Sequence, residues 1–203
     1  MVILYHAPQS RSSRMIWLLE ELETPYEIRL VTIFRPNMGT GSPDPTNPHP
    51  DKRVPAITHN GTLVAESVAI VLYLTDAFPD AGLVPAVGDT RRGEYLTWLA
   101  WYAAALEPAM VASMNGELTT SPMKQRDYDA VIKRLEGALA RGPWIMGDAF
   151  SGADILIGSA INFARAAFPE SAVLDAYAAR CKARPAMVRA TELDEASGVQ
   201  RTT

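Results

Sequence analysis

The sequence predicts two parts, an α/β domain with the element order βαβ-ββα and, after a linker, an all-α helical domain. Residues 2–31 carry the pattern of strand, helix and strand, and residues 54–75 carry that of a β-hairpin followed by a helix. Every clear hydrophobic periodicity further along is helical, so the two halves are assigned to different domains. We expect the α/β domain at 1–78, the linker at 79–88 and the helical domain at 89–203.

The first domain opens on a short apolar run, VILY at 2–5, which predicts a strand. From Met15, apolar residues recur at i, i+3, i+4 and i+7, the spacing of a helix buried along one face. The alternation in YEIRLV at 26–31 predicts a second strand. A strand reached through a crossover helix is expected to run parallel to the first.

The second half of this domain follows a proline-crowded stretch at 36–55, which leaves room for a loop or one short helix. Asn60-Gly61 then supplies the positive φ values of a tight turn inside a hairpin at 54–65. A helix is expected directly after the hairpin. The stretch at 78–90 carries two more prolines and contains the linker.

Charge and hydropathy exclude some classes of partner. The formal net charge is −4 and no Lys or Arg cluster is longer than a dipeptide, which argues against nucleic acid because its binding relies on many phosphate contacts. No apolar run reaches the roughly 18 to 20 residues of a membrane helix. The N-terminus lacks the basic start and long apolar centre of a signal peptide. We therefore expect a cytoplasmic protein with no membrane partner.

Cysteine and histidine usage argues against redox and metal chemistry of the protein's own. The single cysteine, Cys181, allows no disulfide, CxxC pair or cysteine-based zinc site within one chain. The histidines, His6, His49 and His59, are not paired at helical spacing, so no metal site is predicted. We expect all three histidines at the surface or in loops.

Several motifs in one order point to a known family. The βαβ-ββα order with Pro55 at the start of the third strand is the thioredoxin-like arrangement. Together with AESVAIVLYL at 65–74 and GPWIMGDAFSGADI at 142–155, it makes the chain resemble the cytosolic glutathione S-transferase family, in its serine-type, bacterial-like form, nearly from end to end. Within the last motif, Ser151 and Asp154 have capping-box spacing, and Asp154 resembles the family's buried, structural aspartate.

The resemblance implies a glutathione-binding surface on the first domain. Pro55 resembles the family's cis-proline, which turns the backbone of Val54 toward the cysteinyl part of glutathione. Lys52 and Arg53 lie where family members often place a basic or polar residue near the glycyl carboxylate. Of the two, Lys52 is the preferred candidate, and the alternative for both is that they are solvated loop charges.

Glu66 and Ser67 form the second implied contact. The free N–H groups and partial positive charge of a helix N-terminus suit the α-carboxylate of the γ-glutamyl residue, and the hydroxyl of Ser67 adds a donor. Alternatively, Ser67 only caps its own helix.

The stretch QSRSSR, which precedes the first helix, contains the candidate donors to the thiol. Because the domain has no CxxC pair, a reactive thiol has to come from the ligand, and a free thiol is only a few per cent ionised at neutral pH. The resemblance implies Ser10, which falls where serine-type members carry their hydroxyl. Ser12, Tyr5, a backbone N–H and Arg11 stay open as alternatives. Arg14 matches a basic residue common in the family's first helix.

The resemblance also implies a function. It predicts a glutathione transferase that ionises the thiol of glutathione for attack on a small hydrophobic electrophile, as in detoxification, with glutathione as co-substrate and no other cofactor. A homodimer is expected on the same ground. The alternatives are a glutathione-dependent isomerase, dehalogenase or peroxidase, or an inactive transferase-like binding protein. The walls of the electrophile pocket are assigned to aromatic and methionine side chains of the helical domain, which could equally be core or dimer contacts: Trp101, Tyr102, Met110 and Met114.

Overall fold

The computed structural model describes residues 1–36 and 38–199, and the contacts divide the chain into two compact units. The first unit contains Met1–Ala81 and the chain from Pro185 onward, and the second is Gly82–Arg184. None of the helices in the described parts is long and apolar enough to cross a membrane.

A mixed four-stranded sheet forms the centre of the first unit, in the order β2-β1-β3-β4. Its strands are β1 (Val2–His6), β2 (Tyr26–Leu30), β3 (Ala56–His59) and β4 (Thr62–Ala65). β1 runs parallel to β2, whereas β3 is antiparallel to both β1 and β4. With helices α1 (Ser13–Glu21) and α2 (Ser67–Ala77) between the strands and after them, the βαβ-ββα order is confirmed.

The helices of the second unit confirm that it is all-α. They are α3 (Arg92–Trp101), α4 (Glu107–Met114), α5 (Pro122–Leu139), α6 (Gly152–Phe163) and α7 (Ala172–Lys182). A π-helical segment, Tyr102–Leu106, joins α3 to α4. It ends just before Pro108, which has no N–H to donate to a carbonyl of the preceding turn.

The last helix, α8 (Pro185–Val199), packs along α1 and so groups with the first unit, whereas the sequence assigned 89–203 to the helical domain. Polar side chains of α8 form hydrogen bonds near both ends of α1. Arg189 Nε donates to Glu20 Oε2 at 2.6 Å. The carboxylate of Asp194 accepts from the hydroxyl of Ser13 at 2.7 Å and from the backbone N–H of Gln9 at 3.1 Å.

Asp154 organises the interior of the second unit. It is fully buried, and its carboxylate accepts from the backbone N–H groups of Ile145 and Ser151 at 2.9 and 3.0 Å. The hydroxyls of Ser151 and Tyr177 donate to it at 3.1 and 2.9 Å. Burial raises the pKa of Asp154 to about 6, against the lowering effect of these hydrogen bonds. The predicted capping box and the structural role of Asp154 are confirmed.

Replacing Asp154 by alanine is expected to destabilise the protein by about 3 kcal/mol or more, because it leaves several buried donors without an acceptor. Urea unfolding followed by circular dichroism measures the change. Asp148→Ala is the matched control, since Asp148 is exposed a few residues before α6, and its effect is expected within about 0.5 kcal/mol. Equal effects of the two substitutions would contradict the assigned role of Asp154.

The contact of Asp194 predicts a pH-dependent stability. Burial alone would raise the pKa of Asp194, but the ion-pair contact with His6 and the hydrogen bonds from Ser13 and Gln9 outweigh it and hold the pKa below its usual value. A carboxyl group with a lowered pKa in the folded state contributes stability above its unfolded pKa and loses it as the pH falls through the folded one.

Asp194→Asn should therefore lower the free energy of unfolding by about 1 to 3 kcal/mol at neutral pH. The difference from the unsubstituted protein should shrink as the pH falls below about 4. Glu195→Gln, at an exposed neighbouring position of α8, is the control and should change little at any pH. A difference for Asp194→Asn that stays constant down to about pH 2 would show that the charge contributes nothing.

Candidate active site

Strand pairing brings three chain segments to one end of the sheet. Tyr5, near the end of β1, is paired with Ala56 at the start of β3, and Ala56 is paired with Ala65 at the end of β4. The loop after β1, the residues before β3 and the turn into α2 therefore all emerge at this end. These segments contain most of the residues that the sequence predicts for glutathione binding.

In the loop after β1, the serine hydroxyls form a tight cluster. Ser10 Oγ lies 2.7 Å from Ser12 Oγ and donates to the carbonyl of Ala7 at 2.6 Å. Ser12 Oγ accepts from the backbone N–H of Ala7 at 3.1 Å. Ser12 is fully buried, whereas Ser10 is partly exposed, so Ser10 is the one of the two that a ligand can reach.

His6 lies directly behind these hydroxyls. Its side chain is fully buried at the end of β1, and Nδ1 is 2.8 Å from Ser12 Oγ. Nε2 is 3.1 Å from Asp194 Oδ1, within ion-pair distance, although the N–H direction is off the line of a good hydrogen bond. The expectation that His6 lies at the surface or in a loop is therefore wrong, because α8 covers this end of β1 with a carboxylate.

Of the other candidates for contact with the thiol, Tyr5 is 8% exposed and packs with Val31 and Ala56 in the core of the first unit. Arg11 is exposed in the loop, and Arg14 is buried in α1. Cys181, in the second unit, is fully buried, and burial raises the pKa of its thiol to about 12. Cys181 therefore stays protonated at neutral pH.

The segment before β3 contains a cis peptide bond between Val54 and Pro55, so the predicted cis-proline is confirmed. The loop leading to it is held by its own polar groups. Asn47 is fully buried and donates to the carbonyl of Arg53 at 2.9 Å. Lys52 Nζ donates to the carbonyl of Asn47 at 2.7 Å, whereas Arg53 is exposed. Lys52 therefore contributes to the loop's internal bonding, and Arg53 faces solvent.

At the turn into α2, Glu66 has a φ of 70° and occupies the N-cap position. Ser67 is then the first residue of the helix rather than its cap, and among the described residues no side chain caps this end. The N–H groups of the first turn of α2 are thus available to an acceptor. The alternative that Ser67 only caps its own helix is wrong.

The four residues assigned to the electrophile pocket differ in exposure. Tyr102, in the π-helical segment, and Met110, in α4, are almost fully buried, whereas Met114 is 49% exposed. Trp101 packs edge-on against Trp98, and the guanidinium of Arg134 lies over the Trp101 ring at 4.9 Å. The exposure and packing of these four side chains do not define a pocket, so the assignment of the electrophile pocket stays a prediction.

Sequence reasoning missed His6, Asn47 and Asp194. Asn47 and its neighbours were read only as part of a proline-rich loop, although a buried Asn that bonds the residue before Val54 fixes this loop. Asp194 has no signal in the local sequence, because its role depends on the packing of α8 on α1. Arg35, which donates to the carbonyl of Pro8 at 2.6 Å, was also missed, because the two residues are far apart in the sequence.

Comparisons with known proteins identify both halves of the chain. The model of the glutathione S-transferase N-terminal domain matches residues 4–82, and that of the C-terminal domain matches residues 100–183. Glutathione S-transferase 3 of Schizosaccharomyces pombe is 32% identical over 56% of this chain and 46% of its own length. Glutathione S-transferase GstA of Escherichia coli O157:H7 is 28% identical over 58% of this chain and 60% of its own length. The matched region thus spans about half the length of these two relatives.

Solved structures match over nearly the whole chain. A glutathione transferase from Methylococcus capsulatus is 26% identical, with a TM-score of 0.78 over 96% of this chain and 99% of that one. A sphingomonad glutathione S-transferase complexed with glutathione is 25% identical, with a TM-score of 0.78 over 95% of this chain and 98% of that one. With both domain models matched in order and the same fold along the chain, this protein belongs to the cytosolic glutathione S-transferase family.

Proposed function

We propose that this protein is a glutathione transferase in which Ser10 stabilises the thiolate of bound glutathione. The observation that carries the proposal is the position of the Ser10 hydroxyl. Ser10 is a partly exposed residue at the end of the sheet where Val54-Pro55 and the N-terminus of α2 also emerge. The glutathione found in the sphingomonad relative supports the choice of ligand.

Each part of glutathione has a chemically suitable partner at this end of the sheet. The backbone of Val54 can pair with the cysteinyl residue as an added strand would. The uncapped N-terminus of α2, with the Ser67 hydroxyl, suits the γ-glutamyl carboxylate because it offers N–H donors and a partial positive charge. The exposed guanidinium of Arg53 suits the glycyl carboxylate, and it is now a better candidate than Lys52, whose amine is bonded within the loop.

The chemistry needs only a lowered thiol pKa. A free thiol has a pKa near 8.5, and lowering it by about 2 units requires about 2.7 kcal/mol of extra stabilisation of the thiolate. A hydroxyl donating to the sulfur provides stabilisation of this order, since hydrogen bonds to charged groups contribute about 1.5 to 3 kcal/mol. The thiolate then forms a bond to an electrophilic carbon, and the leaving group departs with its electron pair.

Family membership supports the remaining parts of the proposal. Glutathione is a co-substrate that is consumed, and the protein forms a homodimer in the cytoplasm, where it acts on hydrophobic electrophiles in detoxification. Turnover of a generic aryl halide, measured together with retention on immobilised glutathione, tests the enzyme against an inactive binding protein. Retention without turnover of any electrophile class would contradict the transferase proposal.

Ser10→Ala is expected to lower kcat/KM for glutathione conjugation about 100-fold near neutral pH, which corresponds to the loss of about 2.7 kcal/mol. The pH dependence of the rate should move toward the pKa of the free thiol, since the lost hydroxyl no longer favours the thiolate. Steady-state rates across the pH range measure both changes. Tyr5→Phe is the matched control, because it also removes one hydroxyl, and it should leave the profile in place. The reverse pattern would assign the role to Tyr5.

Ser67→Ala is expected to raise KM for glutathione about tenfold with little change in kcat, because the hydroxyl contacts a part of the substrate that does not react. Cysteinylglycine, which lacks the γ-glutamyl residue, supplies the comparison. Its KM should be the same for Ser67→Ala and the unsubstituted protein. An equal loss with both substrates would mean that Ser67 does not bind the γ-glutamyl carboxylate.

A further inference from the structure

A continuous row of polar atoms runs inward from Ser10, and we call it the hydroxyl row. It joins Ser10 Oγ to Ser12 Oγ at 2.7 Å and Ser12 Oγ to His6 Nδ1 at 2.8 Å. Nε2 of the same ring then lies 3.1 Å from Asp194 Oδ1. Ser12 and His6 are fully buried, so the partly exposed Ser10 is the end of the row from which a ligand can approach.

The contacts of the row allow a proton to pass along it. Either hydroxyl can donate across the Ser10–Ser12 contact, and the role of His6 Nδ1 depends on which ring nitrogen carries the proton. In a neutral ring protonated at Nε2, Nδ1 accepts from Ser12 and Ser12 accepts from Ser10, so the ring can receive one more proton at Nδ1. The hydroxyl of Ser10 otherwise donates to the carbonyl of Ala7 at 2.6 Å and has to rotate toward Ser12 to take part.

We propose that the hydroxyl row takes up the proton of the glutathione thiol and that His6 holds it while the thiolate reacts. The proposal rests on the proposed function, since it needs glutathione bound with its sulfur at Ser10. Ser10 is the catalytic residue that touches the sulfur, and His6 and Asp194 are positioning residues that act through Ser12.

The proton transfer balances without any other reactant. The S–H bond breaks and its electron pair stays on sulfur. Ser10 Oγ receives that proton and passes its own to Ser12 Oγ, which in turn passes its own to His6 Nδ1. The products are a thiolate and an imidazolium, and each hydroxyl now donates toward the sulfur. When the conjugate leaves, the proton returns along the same row to solvent at Ser10.

The charges at the two ends of the row favour this transfer. The carboxylate of Asp194 at one end and a thiolate at the other both favour an imidazolium, so ring and thiol ionise together. The carboxylate is held in place by Ser13 and the N–H of Gln9, which keeps it beside the ring.

The proposal predicts that the thiolate forms without releasing its proton to solvent. The full chain is mixed with glutathione in weakly buffered solution near neutral pH. The ultraviolet absorbance of the thiolate measures ionised glutathione per site, and a pH indicator measures released protons. S-methylglutathione, which lacks the thiol proton, provides the reference for other protonation changes. We expect the thiolate signal with far less than one proton released per thiolate.

The outcomes separate this proposal from the proposed function. A thiolate signal with one proton released for each thiolate would overturn the role of His6 and leave the role of Ser10 standing. Binding without a thiolate signal, or no binding, would overturn both. His6→Gln should lower the thiolate fraction about threefold or more, or release a proton for each thiolate that forms. His59→Gln is the matched control, since His59 contacts Tyr73 outside the row, and it should behave as the unsubstituted protein.

A spectroscopic measurement keeps the test decisive if His6→Gln fails to fold. Nitrogen NMR of the His6 imidazole in the unsubstituted protein distinguishes a ring with one protonated nitrogen from a ring with two. We expect one protonated nitrogen in the free protein and two after glutathione binds. A ring whose protonation is the same in both states would overturn the proposal.

Discussion

The antiparallel pairing of β3 with both of its neighbours determines where the candidate active site can form. Because β1 ends where β3 begins and β4 ends, the loop containing Ser10, the Val54-Pro55 bond and the start of α2 are brought to one end of the sheet. A parallel β3 would have sent Val54 to the opposite end. The site therefore follows from strand direction first, and from individual side chains second.

Packing of α8 on α1 then adds a charge behind this end of the sheet. The Asp194 carboxylate lies 3.1 Å from Nε2 of the buried His6 ring, and the ring in turn contacts the hydroxyl of Ser12. Burying a polar ring is costly unless it finds partners, and α8 places a carboxylate within ion-pair distance of Nε2. The same helix that completes the first unit thus also determines the electrostatic surroundings of Ser10.

Features that depend on residues close together in the sequence could be predicted, whereas contacts between distant parts of the chain could not. The strands, α1 and the hairpin turn have local patterns that were interpreted correctly, and the capping box at Ser151 and Asp154 is confirmed because its residues are three positions apart. The family resemblance, rather than any local pattern, identified the cis bond before Pro55.

The contacts that involve α8 could not be predicted in this way. His6 and Asp194 lie at opposite ends of the chain, and a lone histidine in a short strand carries no sign of what will cover it. From the sequence, α8 was assigned to the helical domain, because a helical pattern does not reveal which element the helix packs against. The role of Lys52 was unclear for a similar reason, since its bond to the carbonyl of Asn47 depends on how the proline-rich loop folds.

The central claim is that the sulfur of glutathione lies at the outer end of the hydroxyl row. A crystal structure of the protein with bound glutathione tests it most directly. The account predicts the sulfur about 3 Å or slightly more from Ser10 Oγ, longer than a usual O–H···O distance because sulfur is a larger acceptor, with Ser12 behind and out of contact. A sulfur that lies instead beside the Tyr5 hydroxyl, or glutathione bound away from this end of the sheet, would contradict the account.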